Sequence, residues 1–292
     1  MASTRQLKSR IRSVKSTKQI TKAMQMVAAS KMRRAQDATK ASAPYERAAN
    51  ELLTHLASQG ATDEHPLFKK RKIGKRLIIV VASDKGLAGA YNANVFKKYV
   101  ELLKRDDERG IKNTTITVGR KVSQFASRLK DTDVIGSYDD LPDHPDGLTF
   151  RAILNTACNM YRSGEVDAVS VVYTNFVNSM TQQASWMRLL PAGTKPSTDP
   201  TEQSEALQDA KFEPSVPEVL DAVAFRLIGS RLFQALLDAR ASEHSMRMLA
   251  MKNATDNASD LVSDLTLAMN KARQAAITQE LSEISAGAEA MK

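Results

Sequence analysis

The stretch of this 292-residue chain best suited to chemistry is Ser83-Asp-Lys-Gly-Leu-Ala-Gly-Ala-Tyr-Asn92, which follows the apolar run Leu77 to Ala82. A strand-to-helix turn of that kind can hold a phosphate on the backbone amides of a helix N-terminus. It matches neither G-x-G-x-x-G nor G-x-x-x-x-G-K-[ST], so it reads as a tight turn with packing glycines in preference to a phosphate loop. The other reactive side chains do not assemble. His55, His65, His144 and His244 are scattered with no i,i+4 partner, and Cys158 stands alone on a predicted helix as a small core residue. Asp106-Asp107-Glu108, beside Arg109-Gly110, reads as a solvated helix end, and Asp139, Asp140 and Asp143 as turn chemistry in a proline-containing loop. The sequence therefore predicts no catalytic residue, no metal ligand set and no cofactor. One cysteine makes no internal disulfide, so a reducing compartment is the expectation.

Charge is the stronger signal. Residues 1–76 carry 18 basic and 5 acidic side chains, residues 77–190 carry 14 and 13, and residues 191–292 carry 10 and 15. The basic clusters are Arg5 to Lys22, Lys31-Met-Arg33-Arg34 and Lys69-Lys-Arg-Lys72. A basic coiled-coil module for nucleic acid or an anionic membrane is one reading of these. No aromatic residue precedes Tyr45, so the arm has no base-stacking platform. A transit peptide is a second reading, but the helical pattern runs on through Met32 and Ala35. The longest apolar run, Leu77 to Ala82, is six residues, far short of a membrane span.

These charges sit on elements that composition already separates. Before Gly60 there is no glycine and one proline, Pro44; between Glu218 and Ala286 there is no proline and one glycine, Gly229. Two long helices follow, because glycine and proline are the residues that interrupt helices. Ser215 and Glu218 have the spacing of a capping box at the start of the second helix, and Gly287 stands where it would stop. At ~1.5 Å per residue an arm from Val216 to Ala286 would be about 105 Å long. Its apolar seam is Met251, Ala254, Ala258, Leu261, Leu265, Ala268, Ala272 and Ala275, in the 3-4 steps of a coiled coil. The first arm is less regular: Leu7, Ile11 and Val14 are followed by Ile20, Met24 and Val27, then Met32 and Ala35, with a six-residue step from Val14 to Ile20. Opposite net charge on the two arms favours pairing them, and the domain between them makes antiparallel pairing the simplest closure.

The middle alternates strand and helix. Strands are predicted at Leu77–Ala82, Thr114–Val118, Val134–Ile135, Ala168–Tyr173 and Thr181–Leu190, with helices near 93–105, 121–129 and 150–163. The fold expected is an α/β, Rossmann-like central domain plus a long antiparallel coiled coil of the N- and C-terminal helices. The divisions are 1–66 for the first arm, 67–191 for the domain, 192–214 for a surface linker and 215–292 for the second arm.

Four blocks resemble the gamma subunits of rotary F-type ATP synthases: Ser16-Thr-Lys-Gln-Ile-Thr-Lys-Ala-Met24 running through Val27 to Arg34, Ser83 to Asn92, Ala241 to Asn257, and Asn270 to Ala288. The resemblance implies a shaft inside a hexamer of three alpha and three beta subunits, with the α/β domain near the membrane against epsilon and the c-ring. It implies rotation driven by proton flow, catalysis left to beta, no nucleic acid partner, no direct membrane span, and a peripheral place on the cytoplasmic side of a bacterial membrane. The family's first helix begins almost at Met1, which leaves no room for a presequence and favours the bacterial reading. It further implies that Met24, Lys31, Arg33 and Arg34 face acidic residues on beta, and that Arg247, Arg273, Gln274, Thr278 and Glu280 meet the hexamer. Ala88 and Lys85 stand where many members have cysteine and arginine. Paired redox cysteines of the chloroplast type are missing, and 192–213 matches the family poorly.

Overall fold

A computed structural model describes residues 4–58, 65–129, 132–140, 142, 147–193 and 215–290. Beyond Gly193 the expected linker lies outside the described residues. The elements in chain order are α1 (Thr4–Ser58), β1 (Lys75–Val81), α2 (Tyr91–Asp107), β2 (Lys112–Val118), α3 (Arg120–Ala126), β3 (Asp133–Tyr138), α4 (Leu148–Arg162), β4 (Ala168–Phe176), β5 (Gln182–Leu190) and α5 (Val216–Ala290). The chain divides into two compact units, Met1–Ala29 with Arg247–Lys292, and Ser30–Met246.

The larger unit is built on one sheet of order β3-β2-β1-β4-β5. Its first four strands are parallel, and β5 returns antiparallel to β4. The unbroken apolar run of β1 is what a strand covered on both faces requires. Leu77, Ile79 and Val81 point into a core shared with α4 and the first part of α5 (Ile153, Ala157, Ala224, Ile228, Leu232). Ile78, Val80 and Ala82 point into a second core with Val95, Tyr99 and Leu102 of α2 and Val122 of α3. Alternate strand positions thus serve opposite layers, and the α/β, Rossmann-like expectation holds. One buried ion pair ties the layers: Arg76 Nε lies 2.6 Å from Asp106 Oδ2, with the two side chains 4% and 0% exposed. A second guanidinium nitrogen of Arg76 donates to Ser170 Oγ on β4 at 2.9 Å.

Several boundaries differ from the sequence expectation. The third strand runs from Asp133 to Tyr138, because the free edge of β2 pairs with it from Thr114 to Val118, with a bulge between Thr115 and Ile116. Helix α5 passes through Gly287 to Ala290, so that glycine does not end the helix. As the long first arm leads one to expect, helix α1 runs through Pro44, whose ring costs a backbone hydrogen bond. At the start of α5 the serine half of the capping box forms, the Glu218 amide donating to Ser215 Oγ at 3.4 Å, while the Glu218 carboxylate accepts from the Ser215 hydroxyl at 3.1 Å.

Candidate functional site

In the smaller unit α1 and α5 pair side by side. Lys18 Nζ donates to Ser259 Oγ at 2.9 Å, and the hydroxyls of Thr21 and Thr255 share a hydrogen bond of 2.8 Å. A rise of three positions on α1 meets a fall of four on α5, so the helices run antiparallel. The face of α1 turned inward is Leu7, Ile11, Val14, Lys18, Thr21, Gln25 and Ala28, all buried or half-buried, in unbroken 4-3 steps. The break expected after Val14 is therefore absent, and Ile20 and Val27 are each 57% exposed. A straight seam must continue at positions 18 and 21 whatever their polarity. Lys18 can lie there because its stem covers apolar surface while its ammonium reaches Ser259.

On α5 the structure buries Met251 and Ala258 and half-buries Leu265 and Ala272. The positions between them are Thr255, Val262 and Met269, each one residue beyond the Ala254, Leu261 and Ala268 chosen from the sequence. Ala254 is half-buried, Leu261 is 46% exposed, and Ala268 and Ala275 are exposed. The pairs Ala254-Thr255, Leu261-Val262 and Ala268-Met269 satisfy either phase by apolarity alone. The hydroxyl of Thr21 on the partner helix selects the later one. Every residue from Arg273 to Ala286 is exposed. This stretch carries Ile277, Leu281 and Ile284, 49%, 60% and 69% exposed, at i, i+4 and i+7 on one helix face. Sequence reading passed over that stripe, although its spacing was there to be counted.

In the larger unit the turn Ser83–Asn92 sits at the C-terminal end of β1, where the strand order reverses between β1 and β4 and doubly wound folds take ligands. Here the turn is closed on itself. The Ser83 amide donates to Asn92 Oδ1 at 3.1 Å, and Asn92 Nδ2 donates to Ser83 Oγ at 2.8 Å. Asp84 Oδ1 accepts from the amides of Arg120 (3.1 Å) and Asp140 (3.0 Å), and its Oδ2 accepts from Arg240 of α5 at 3.4 Å. Arg240 also donates to Glu243 at 3.0 Å. Burial disfavours the Arg240 cation, but Glu243 and Asp84 beside it more than offset this, so its pKa lies above the ordinary arginine value. Gly119, at φ +104°, closes the corner: a Cβ there would lie 2.2 Å from the Ala82 carbonyl oxygen. Through these bonds the Asp84 carboxylate, just past β1, is joined to the start of α3, to Asp140 beyond β3 and to α5. Sequence reading missed this role for Asp84 and Arg240, which are 156 positions apart.

Cys158 is 1% exposed, and burial pushes its thiol pKa up to about 11, which suits packing and not nucleophilic work. His65 hydrogen-bonds Asp221 at 3.3 Å. Among the described residues no three histidine, cysteine or acidic side chains are grouped to hold a metal ion.

A family model described as ATP synthase matches residues 3–291. The ATP synthase gamma chain of Stenotrophomonas maltophilia (strain R551-3) is 41% identical over 295 residues, covering 100% of both chains. That of Acidithiobacillus ferrooxidans (strain ATCC 53993 / BNL-5-31) is 42% identical over 291 residues, again covering 100% of both. The chain belongs to the ATP synthase gamma-chain family. Solved structures agree with the gamma-chain fold. A chain of the central stalk and c-ring of the Tetrahymena thermophila mitochondrial ATP synthase shares 25% identity at a TM-score of 0.57, over 80% of this chain and 99% of that one. A chain of the Euglena gracilis mitochondrial enzyme, 17% identical, has the same fold at a TM-score of 0.65 over 99% and 94%.

The residues singled out by resemblance to gamma subunits fall into separate places. Met24 and Arg247 are half-buried on the paired helices, whereas Arg273, Gln274, Thr278 and Glu280 lie together on the exposed stretch of α5. Thr278 Oγ1 donates back to the Gln274 carbonyl at 2.9 Å. Lys31, half-buried, and Arg33 and Arg34, both exposed, follow on α1 in the larger unit.

Proposed function

We propose that this chain is the central-stalk rotor of a bacterial proton-translocating ATP synthase, turning ion flow at the membrane into alternating conformations of catalytic beta subunits. The observation that carries this reading, beside family membership, is the α5 stretch from Arg273 to Ala286. It is helical, exposed on all sides, and bears both charged groups and an apolar stripe. A helical stretch exposed among the described residues, with three large aliphatics on one face, expects a surrounding protein surface. Few apolar anchors and screened charges suit a sleeve in which contacts exchange as the shaft turns, since a wide apolar interface would hold one orientation.

In this reading Arg273, Gln274, Thr278 and Glu280 meet the hexamer of three alpha and three beta subunits, and Arg247 meets it lower on the shaft. Met24, Lys31, Arg33 and Arg34 face acidic residues of beta. The globular unit works against epsilon and the c-ring. In this reading the chain itself performs no bond-making step; the self-closed hydrogen bonding of the Ser83–Asn92 turn supports this. None of its described helices is long and apolar enough to cross a membrane; in this reading, as in the bacterial family, it sits at the cytoplasmic side as a peripheral subunit. A nucleic-acid or anionic-membrane module has no support in a match that runs the whole length of gamma chains.

The test is co-expression of the chain with alpha and beta subunits of the same bacterium, followed by affinity capture on beta. A complex containing all three, whose ATP hydrolysis drives proton pumping in inverted vesicles, is the expected result. Capture of alpha and beta without this chain would sink the proposal.

A further inference from the structure

One feature not used by the rotor reading is an open cavity of about 640 Å³ in the larger unit, lined by α4 and α5 with Ser42 of α1. Phe150, Leu154, Phe225 and Phe233 wall it, and Phe150 meets Phe233 edge to face with ring centroids 5.8 Å apart. Gly229 lines it too, at a point where α5 passes so close to α4 that a Cβ would lie 3.1 Å from Leu154 Cδ2. A concave apolar site of this volume with a few polar groups suits an organic molecule of modest size.

The rim gives the occupant its charge. Arg151 and Arg226 line the cavity and are exposed, and neither has an ion pair or a side-chain hydrogen bond among the described residues. In the same unit Arg76, Arg120, Arg162 and Arg240 are all paired with carboxylates. Arg151 also lies in the first turn of α4, which has no acidic residue to offset the positive helix end. Two uncommitted guanidiniums above aromatic walls make a complement for a molecule apolar along its length and anionic at one end. The planar guanidinium fork matches a carboxylate. The volume accommodates one alkyl chain and not the two of a phospholipid.

We propose that this cavity binds a soluble single-chain carboxylate amphiphile, its alkyl chain among Phe150, Phe225 and Phe233 and its carboxylate between Arg151 and Arg226. The inference is independent of the rotor reading, because binding is measured on the full chain alone. Calorimetric titration with octanoate, decanoate and dodecanoate, each below its micelle-forming concentration, should show affinity rising about fourfold per added CH₂. Decanol should bind about tenfold more weakly than decanoate, having no charge for the arginines. Arg151→Gln with Arg226→Gln, both at exposed positions, should erase that difference while keeping the chain-length dependence. Ser230→Trp, which fills the cavity, should abolish binding with helix content unchanged by circular dichroism. The absence of saturable heat, an affinity independent of chain length, decanoate binding untouched by the arginine substitutions, or capture of anionic phospholipid vesicles in preference to decanoate would each overturn the proposal.

Discussion

Asp84 and Arg240 show how much one pair of side chains can organise. The Asp84 carboxylate takes one backbone amide from the first residue of α3, one from Asp140 just beyond β3, and one guanidinium from α5. Asp84→Asn should cost about 1–3 kcal/mol, since Arg240 keeps Glu243 but loses its second charge. Trp186 is the only tryptophan, lies on β5 and stacks on Arg105 at 4.4 Å, so its fluorescence during urea unfolding reports this unit. Cys158 gives a second residue-scale test. Its folded pKa, about 11, stands above the ordinary 9.0, so between those values the unfolded chain loses a proton that the folded chain keeps. Stability should fall as pH rises from about 9 to about 11, and Cys158→Ala should remove that part of the slope. Alkylation of the thiol should require unfolding. The sequence showed Cys158 as a lone core residue, which needs only composition and helical phase. It did not show the Asp84 to Arg240 contact, because a pair separated by 156 positions exists only once the sheet order has brought α5 over the end of β1.

At the scale of elements, the paired helices separate what periodicity settles from what it leaves open. That both arms are helical, and that Met251, Ala258, Leu265 and Ala272 face inward, followed from spacing and the near absence of glycine and proline. The phase of the positions between them did not, because each has an apolar or small residue on both sides of the choice and only the partner helix discriminates. The same reason explains α1, where Lys18 and Thr21 hold the seam while Ile20 faces out. Two substitutions test this. Ala258→Trp, at a buried position, should splay the helices and lower ATP-driven proton pumping several-fold in the assembled enzyme. Ala268→Trp, at an exposed position, should leave pumping within about twofold. Equal defects in both would mean that the seam runs through Ala268 after all.

For the whole molecule, the uneven charge of the sequence takes on a structural sense: basic groups crowd the first 76 residues, and an acidic excess lies in the last 102. If Arg33 and Arg34 bear on acidic partner surfaces, Arg33→Glu with Arg34→Glu should lower pumping per ATP hydrolysed, while Trp186 fluorescence of the isolated chain stays unchanged. The fold class was legible because each strand and helix of the α/β unit carries its own period, whereas the bare reach of α5 past Ala272 depends on where α1 begins opposite it. The Thr21 to Thr255 hydroxyl pair has a last consequence. Alanine-rich, half-polar helices adhere weakly and could slide lengthwise by a heptad at little apolar cost. Such a shift would set the Thr21 hydroxyl against Met248 or Val262 and the Thr255 hydroxyl against Val14 or Ala28, so the two act as index marks, keeping a thin shaft from creeping along its axis while it is twisted.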